Sequence, residues 1–202
     1  VRAACAAVGI SPDAVFVIES LPLASHLDRG KYQYGKLVAD VICHPDTFVM
    51  ADMFMSNYQF HYLPILLGLG SPPISYGSSA TTLAVKVASE WGAAKVVLVG
   101  MDLAYDVDTG QCYATHSQLD GLKVREYEGR LEFSGREDRD AMHTAAGLSA
   151  TSSRDFLALP SWDGSGGEVM TSMELMAQYD WFAGFARDRA SPAQRFVNAT
   201  EG

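Results

Sequence analysis

The stretch that decides the fold of this chain is residues 74–105, ISYGSSATTLAVKVASEWGAAKVVLVGMDLAY. It reads as a loop of small residues, then a helix, then an apolar strand that ends near a carboxylate, Asp102. Strands that alternate with helices predict an α/β fold with a mostly parallel sheet flanked by helices. Because ligands in such sheets bind outside the carboxyl ends of the strands, we expect a ligand site where this strand ends.

The helix in this stretch is predicted to begin at Ser78 or Ser79 and to end at Gly92. Either serine can act as the N-cap and can donate its hydroxyl to a phosphate oxygen, and glycine commonly follows the last residue of a helix. The helical spacing predicts one apolar face, made of Ala80, Leu83, Ala84, Val87, Ala88 and Trp91. Residues 95–99 are a continuous apolar run after one lysine, which predicts a strand covered on both faces.

Gly77 and the serines after it form a candidate anion site. The first turn of a helix has free backbone N–H groups and about half a positive charge, and a ligand can approach the backbone of Gly77 closely. We expect residues 76–81 and Asp102 to line a single pocket for a phosphorylated or carboxylated small molecule. A plain αβ unit, in which the serines only cap the helix and Asp102 only caps the next turn, accounts for the same residues.

The composition is that of one globular α/β domain over residues 1–202. Hydrophobic residues make up 48% and charged residues 19% of the chain, unlike a disordered protein. The net charge of −9 argues against a nucleic-acid partner, which a basic surface would bind. No apolar run reaches the roughly 18 residues of a membrane span, and no signal peptide is recognised. Three widely spaced cysteines indicate neither a disulfide framework nor a zinc site, so we expect a cytoplasmic protein.

The rest of the chain shows the same alternation of elements. A helix over residues 3–8 is closed by Gly9, and Glu19 follows the first strand. Strands are predicted at residues 14–18, 37–43, 73–76, 156–159 and 195–199. Residues 106–155 read as an exposed excursion or lid that contains a hairpin, with residues 124–127 paired to 131–133.

A second helix start is predicted near Thr171. Thr171 and Glu174 have the spacing of a capping box, in which each side chain bonds the backbone of the other residue. The helix behind them is predicted to present one apolar face, made of Leu175, Tyr179, Phe182 and Ala186. With the glycine-rich turn before it, this helix start is a second possible contact for an anion or a sugar.

Several blocks of the sequence resemble the motility accessory factor family, whose domain is shared with archaeal hydroxymethylpterin diphosphokinase. The blocks are Gly77-Ser-Ser, Val97-Leu-Val-Gly-Met-Asp-Leu-Ala-Tyr105, Gly166-Gly-Glu-Val-Met-Thr-Ser172 and Asn198-Ala-Thr-Glu-Gly. The resemblance implies a glycosyltransferase that moves a nonulosonic acid, of pseudaminic or legionaminic type, from a CMP-activated donor onto Ser or Thr of flagellin. It also implies a Rossmann-like fold similar to that of bacterial sialyltransferases, which need no metal.

By matched position, the resemblance implies roles for individual residues. The donor's phosphate or carboxylate would face Gly77, Ser78 and Ser79. Asp102 would order the strand-end loop or bind the ribose, and the phosphate leaving group would contact Tyr105 and Tyr113. The candidates for the general base are His116 and His143. Further substrate contacts are expected from Glu19, Gly166, Gly167, Glu168 and Thr171.

The sequence departs from the family at two places. The glycine-rich loop at the family's first strand, of the type Gly-x-Gly-Pro-Ser, is not present, so we expect a fragment that begins downstream of it. Many relatives have a histidine where this chain has Tyr113.

Two other functions remain open from the sequence. A pterin diphosphokinase would need ATP and Mg²⁺, for which Glu19, Asp46 and Asp102 at three strand ends could supply ligands. A third possibility is a module that binds flagellin without chemistry.

Overall fold

The computed structural model describes residues 2–55, 68, 76–77, 79–106, 108–112, 121–128, 130–135, 156–157, 159–162, 168–189 and 194–199. Over these residues the chain is a mixed α/β protein with parallel sheets flanked by helices, as the sequence predicts. None of its described helices combines the length and the apolar character that crossing a membrane requires.

The first parallel sheet contains three strands in chain order: β1 (Ala14–Val17), β2 (Lys36–Asp40) and β3 (Met53–Met55). The predicted strand at 14–18 is confirmed, and the one predicted at 37–43 ends three residues earlier, at Asp40. Two short elements lie between the strands, a 3-10 helix (Ala24–His26) and helix α2 (Pro45–Phe48). Helix α1 (Arg2–Ala7) precedes the sheet, and Gly9 follows it with the positive φ of a helix end.

The central strand β2 separates two cores, because successive side chains of a strand point to opposite faces. Leu37 and Ala39 pack on one face with Val17 and Leu27. Val38 packs on the other face in a second cluster, with Met55, Tyr76, Leu83 and Val87. All four residues of β2 from Leu37 to Asp40 are fully buried, so this strand is the centre of the described fold.

Helix α3 (Ala80–Glu90) covers the Val38 face of that sheet. Its predicted bounds are confirmed: Ser79 is the N-cap, and Gly92 has φ 79° just past the end. The predicted apolar face is wrong in part, because Trp91 is 55% exposed while Thr82, Val85 and Lys86 are buried. The reason is that α3 packs against a second helix as well as the sheet, which widens and shifts its buried stripe.

The second parallel sheet is the pair β4 (Lys95–Leu98) and β10 (Arg195–Asn198), with Val96 opposite Phe196. The strands are confirmed, but the prediction that residues 95–99 are covered on both faces is wrong. Val97 is 46% and Val99 is 74% exposed, whereas Val96 and Leu98 are half-buried. Only alternate residues of β4 therefore face the protein interior.

Helix α4 (Met173–Arg189) joins α3 to the second sheet. The ring of Phe185 stacks on Trp181 and meets Phe196 of β10 edge-on, and Lys86 of α3 lies 5.9 Å from the Phe185 ring centre. The packing side of α4 therefore passes through Trp181 and Phe185. The predicted apolar face is wrong at Tyr179, which is 57% exposed, and at Ala186, which is also exposed.

The remaining described strands are antiparallel. The predicted hairpin is confirmed by β5 (Lys123–Tyr127) and β6 (Arg130–Ser134), in which Val124 pairs with Phe133. Strand β7 (Phe156–Leu157) pairs with β6, and β8 (Leu159–Trp162) pairs with β9 (Glu168–Thr171). Val124 and Leu131 are almost fully buried, so one face of the hairpin packs against protein.

Candidate functional site

Two of the blocks singled out in the sequence meet in space. Residues 101–105 follow the carboxyl end of β4, and residues 170–171 lie directly before α4. The backbone N–H of Tyr105 donates to the carbonyl of Met170 at 2.8 Å, and the Thr171 hydroxyl donates to the carbonyl of Leu103 at 2.7 Å. Asp102 and Tyr105 are therefore held against the residues that lead into α4.

The start of α4 differs from the predicted capping box. The N-cap is Ser172, whose carbonyl accepts the first helical bond from Met176 at 2.8 Å and whose hydroxyl accepts a long bond from the N–H of Leu175 at 3.4 Å. The predicted capping box between Thr171 and Glu174 is therefore wrong, because the helix is capped one residue later, at Ser172. Thr171 and Ser172 are 2% and 0% exposed, so both hydroxyls face protein.

The segment that carries Asp102 has an unusual backbone. Gly100 and Leu103 have φ values of 65° and 52°, and L-residues other than glycine seldom adopt such values. Asp102 is exposed. Tyr105 is half-buried, and its ring meets Phe133 of β6 edge-on, with 5.4 Å between the ring centres. This places an exposed carboxylate three residues before a tyrosine that the hairpin supports.

The predicted lid connects directly to this segment. Asp106 accepts bonds from the N–H and the hydroxyl of Thr109 at 3.0 and 2.6 Å, and these bonds hold the pKa of Asp106 below its usual value, with the hydroxyl bond contributing most. Asp106 pairs with Gln111, and Gln111 pairs with Lys123 at the start of β5. A movement of the β5–β6 hairpin would therefore pull on the residues after Tyr105.

The start of α3 is the second candidate place, and it is tightly packed. A Cβ atom on Gly77 would lie 3.0–3.1 Å from atoms of Thr82 and Trp181. The hydroxyl of Ser79 accepts the N–H of Thr82 at 3.2 Å and so caps the helix. The sequence predicts that a ligand can approach the backbone of Gly77 closely. In the structure the space where a side chain of residue 77 would stand is filled by Thr82 and Trp181.

A buried pair that the sequence reasoning missed anchors this start. Asp40, at the end of β2, accepts a hydrogen bond from the hydroxyl of Tyr76 and another from the N–H of Ile42 at 2.9 Å. Asp40 is 0% and Tyr76 is 7% exposed. Burial first, and the bond to Asp40 second, raise the pKa of Tyr76 well above its usual value. A carboxylate at the end of a strand is a sign of such a pair. Asp40 was not recognised as one because the strand was predicted to continue to Cys43.

The two candidate places lie at different levels along α4. Gly77 contacts Trp181, whereas Leu103 is bonded by Thr171, just before Met173. From Met173 to Trp181 the helix rises by about 12 Å. Among the hydrogen bonds and ion pairs of the described residues, none joins Asp102 to Tyr76, Gly77 or Ser79.

The strand ends of the first sheet hold the other predicted residues. Glu19 is half-buried, and its side chain accepts the N–H of Leu21 at 3.3 Å. The His44 ring nitrogen Nδ1 accepts the N–H of Asp46 at 3.2 Å and lies 3.6 Å from the Asp46 carboxylate. Within the described ranges no three His, Cys, Asp or Glu residues gather as metal ligands would. Glu19, Asp46 and Asp102 thus do not form the cluster that the diphosphokinase interpretation needs.

Several predicted site residues lie outside the described residues. These are Ser78, Tyr113, His116, His143, Gly166 and Gly167, together with the strand predicted at residues 73–75. Glu168 is described by its backbone alone, as the first residue of β9. The predicted general bases and one of the two predicted leaving-group tyrosines therefore stay predictions.

Comparison with known proteins adds no relative. No family model, no curated protein and no solved structure matches this chain. The resemblance described above therefore depends on the sequence blocks themselves, and the structural argument for it depends on whether those blocks assemble.

Proposed function

We propose that this chain is the glycosyltransferase domain of a protein that moves a nonulosonic acid from a CMP-linked donor onto Ser or Thr of flagellin. The proposal includes a Rossmann-like architecture similar to that of bacterial sialyltransferases, a cytoplasmic location and no metal requirement. Its partners would be the CMP-linked sugar and flagellin. The parallel sheets flanked by helices are compatible with this architecture.

The observation that carries the proposal is the joining of two of the family-like blocks. Leu103 and Thr171 are 68 residues apart in the sequence, yet the side chain of one bonds the backbone of the other. Tyr105 and Met170 add a backbone bond at the same place. A generic αβ unit needs no such link between a strand-end loop and a distant helix start, whereas residues that bind one ligand must lie side by side.

The proposed roles follow from the chemistry of the donor. An exposed carboxylate such as Asp102 can accept two hydrogen bonds from ribose hydroxyls. The hydroxyl of Tyr105 can donate to a phosphate oxygen, which gains negative charge as CMP departs. The net charge of −9 would repel an anionic donor at long range, so local groups such as helix N-termini must supply the attraction.

The reaction itself is a substitution at the anomeric carbon. The bond from that carbon to the phosphate oxygen breaks and CMP leaves with the electron pair. The acceptor hydroxyl oxygen forms the new bond to the same carbon, and its proton passes to a general base. His116 and His143 remain the candidates for that base.

The first experiment is ligand binding to the full chain, followed by thermal unfolding with CMP and, separately, with ATP plus Mg²⁺. At a CMP concentration about 100 times Kd, binding adds about 2.7 kcal/mol of stability. For a domain of this size that raises Tm by about 5–10 °C. Stabilisation by ATP plus Mg²⁺ alone would contradict the proposal and favour the diphosphokinase interpretation.

The variant Asp102→Asn tests the proposed ribose contact. Because Asp102 is exposed, the substitution should leave Tm nearly unchanged while it weakens CMP binding by about tenfold or more, the scale of a hydrogen bond to a charged group. Asp13→Asn is the matched control, since Asp13 is also an exposed carboxylate and lies directly before the amino end of β1, whereas Asp102 follows the carboxyl end of β4. Equal CMP affinity in the two variants would remove Asp102 from the site.

A further inference from the structure

Leu103 has a backbone conformation that its own side chain disfavours. It is one of two described non-glycine residues with positive φ, at 52°. In this left-handed region the Cβ atom crowds the backbone, so residues other than glycine persist there only when their surroundings hold them. Something outside the loop must therefore hold the segment between Gly100 and Tyr105.

The holding groups come from the residues before α4. The Thr171 hydroxyl donates to the carbonyl of Leu103 at 2.7 Å, and the carbonyl of Met170 accepts the N–H of Tyr105 at 2.8 Å. These two bonds lie on either side of Ala104. They hold the second half of the segment, directly after the exposed Asp102.

Thr171 is the last residue of β9 and does not cap α4. Capping of α4 is performed by Ser172, and Thr171 is 2% exposed, so its hydroxyl is directed at the protein backbone and away from solvent. From the sequence, Thr171 is expected to touch the substrate. Its geometry suits an indirect role instead.

We propose that Thr171 is a positioning residue, which holds Leu103 in its left-handed conformation and so orients Asp102 and Tyr105 toward the donor nucleotide. This inference rests on the proposed function for its ligand, CMP. The link from Thr171 to Leu103 is a property of the protein alone, and it can be tested without any ligand.

The test compares Thr171→Val, which removes the hydroxyl at nearly constant volume, with Thr171→Ser, which keeps it. CMP affinity is measured by titration calorimetry on the full chain, and hydrogen exchange of the Tyr105 amide is measured by NMR. We expect Thr171→Val to weaken CMP binding by about tenfold, equivalent to about 1.4 kcal/mol, and to speed exchange at Tyr105. Thr171→Ser should restore both quantities to within about twofold of the parent chain.

A double-mutant cycle distinguishes positioning from plain stabilisation. If Thr171 acts through Asp102, Thr171→Val should have little further effect on CMP affinity in an Asp102→Asn background. A purely structural role would lower Tm but leave the CMP affinity of the folded protein unchanged, and that result would overturn the inference. Should Thr171→Val not fold, Thr171→Ala leaves room for a water to replace the hydroxyl, and unchanged affinity there overturns it equally.

Failure of the inference and failure of the proposed function give different results. If the parent chain does not bind CMP, the proposed function and the role toward CMP are both wrong, and the exchange data still decide the link to Leu103. Unchanged exchange at Tyr105 in Thr171→Val would overturn that link. If the parent chain binds CMP and Thr171→Val binds it equally well, only the positioning role is overturned.

Discussion

Removing the hydroxyl of Tyr76 should lower the free energy of unfolding more than removing the hydroxyl of any other tyrosine that the structure describes. That hydroxyl bonds the carboxylate of Asp40, which is 0% exposed. In Tyr76→Phe one oxygen of a fully buried carboxylate loses its donor, while Ile42 continues to bond the other. A hydrogen bond to a charged group contributes about 1.5–3 kcal/mol to stability, so we expect Tyr76→Phe to lower the free energy of unfolding by about 2–3 kcal/mol.

The assay is urea unfolding of the full chain at 25 °C, with Tyr76→Phe, Asp40→Asn and the double variant. The midpoint should fall while the slope m stays constant, and the two substitutions should be non-additive because both alter the bond between these two side chains. Tyr179→Phe is the matched control, since Tyr179 is 57% exposed and its hydroxyl should matter by less than about 0.5 kcal/mol. Strict additivity, or a loss in Tyr76→Phe no larger than in the control, would refute the reasoning.

Three further predictions concern packing, pH and thiol chemistry. Gly35→Ala should lower the free energy of unfolding by more than about 2 kcal/mol, because the added Cβ would lie 2.2 Å from the Asp13 carbonyl oxygen. Gly92→Ala should lower it by about 1 kcal/mol, because the added Cβ has free space but the backbone has a φ of 79°. The pKa of Asp52 is lowered by the Leu37 amide and then by Arg29, so its stabilisation is present above about pH 4 and is lost as the pH falls further; Asp52→Asn should flatten that decline. Burial raises the pKa of Cys43 to about 12, so its thiol should resist alkylation at pH 8 until the protein opens.

Each of these has a direct measurement. Urea midpoints of the two glycine variants compare a backbone collision with backbone strain, and a greater loss in Gly92→Ala would contradict the packing at Gly35. Urea midpoints between pH 2 and 6, a window of about two units on either side of the ordinary aspartate pKa, test Asp52, and an unchanged acid decline in Asp52→Asn would count against its bond to Leu37. Peptide-mapped alkylation tests Cys43, and native-state labelling as fast as in urea would show that its burial is wrong.

Elements with strong local signals were predicted well. Helix α3 was predicted from the serine before it, the apolar spacing within it and Gly92 after it, and the observed Ala80–Glu90 agrees. The β5–β6 hairpin was predicted from charges that alternate around Gly129 and Gly135, and the observed pairing agrees. These signals depend on neighbours along the chain, so the sequence is enough to detect them.

Features that depend on distant partners were not predicted. The spacing of Thr171 and Glu174 suits a capping box, but a carbonyl 68 residues away takes the Thr171 hydroxyl, and Ser172 caps the helix instead. Val97 belongs to an apolar run, yet it lies on the face of β4 that the rest of the protein leaves exposed. Periodicity tells which residues share a side of an element, and it does not tell how many neighbours the element meets.

The amino-acid sequence alone determined where α3 and the parallel strands β1, β2, β4 and β10 lie, because capping residues, glycines and apolar spacing act within a few residues of each other. The parallel strand β3 was not predicted. It also pointed to Asp102 and Tyr105 as one candidate block. Only the tertiary structure decided that this block is held by Thr171 and that Asp40 anchors Tyr76 at the start of α3. These bonds join residues 68 and 36 positions apart, and which distant donor reaches a given acceptor depends on how the packed sheets and helices bring them together.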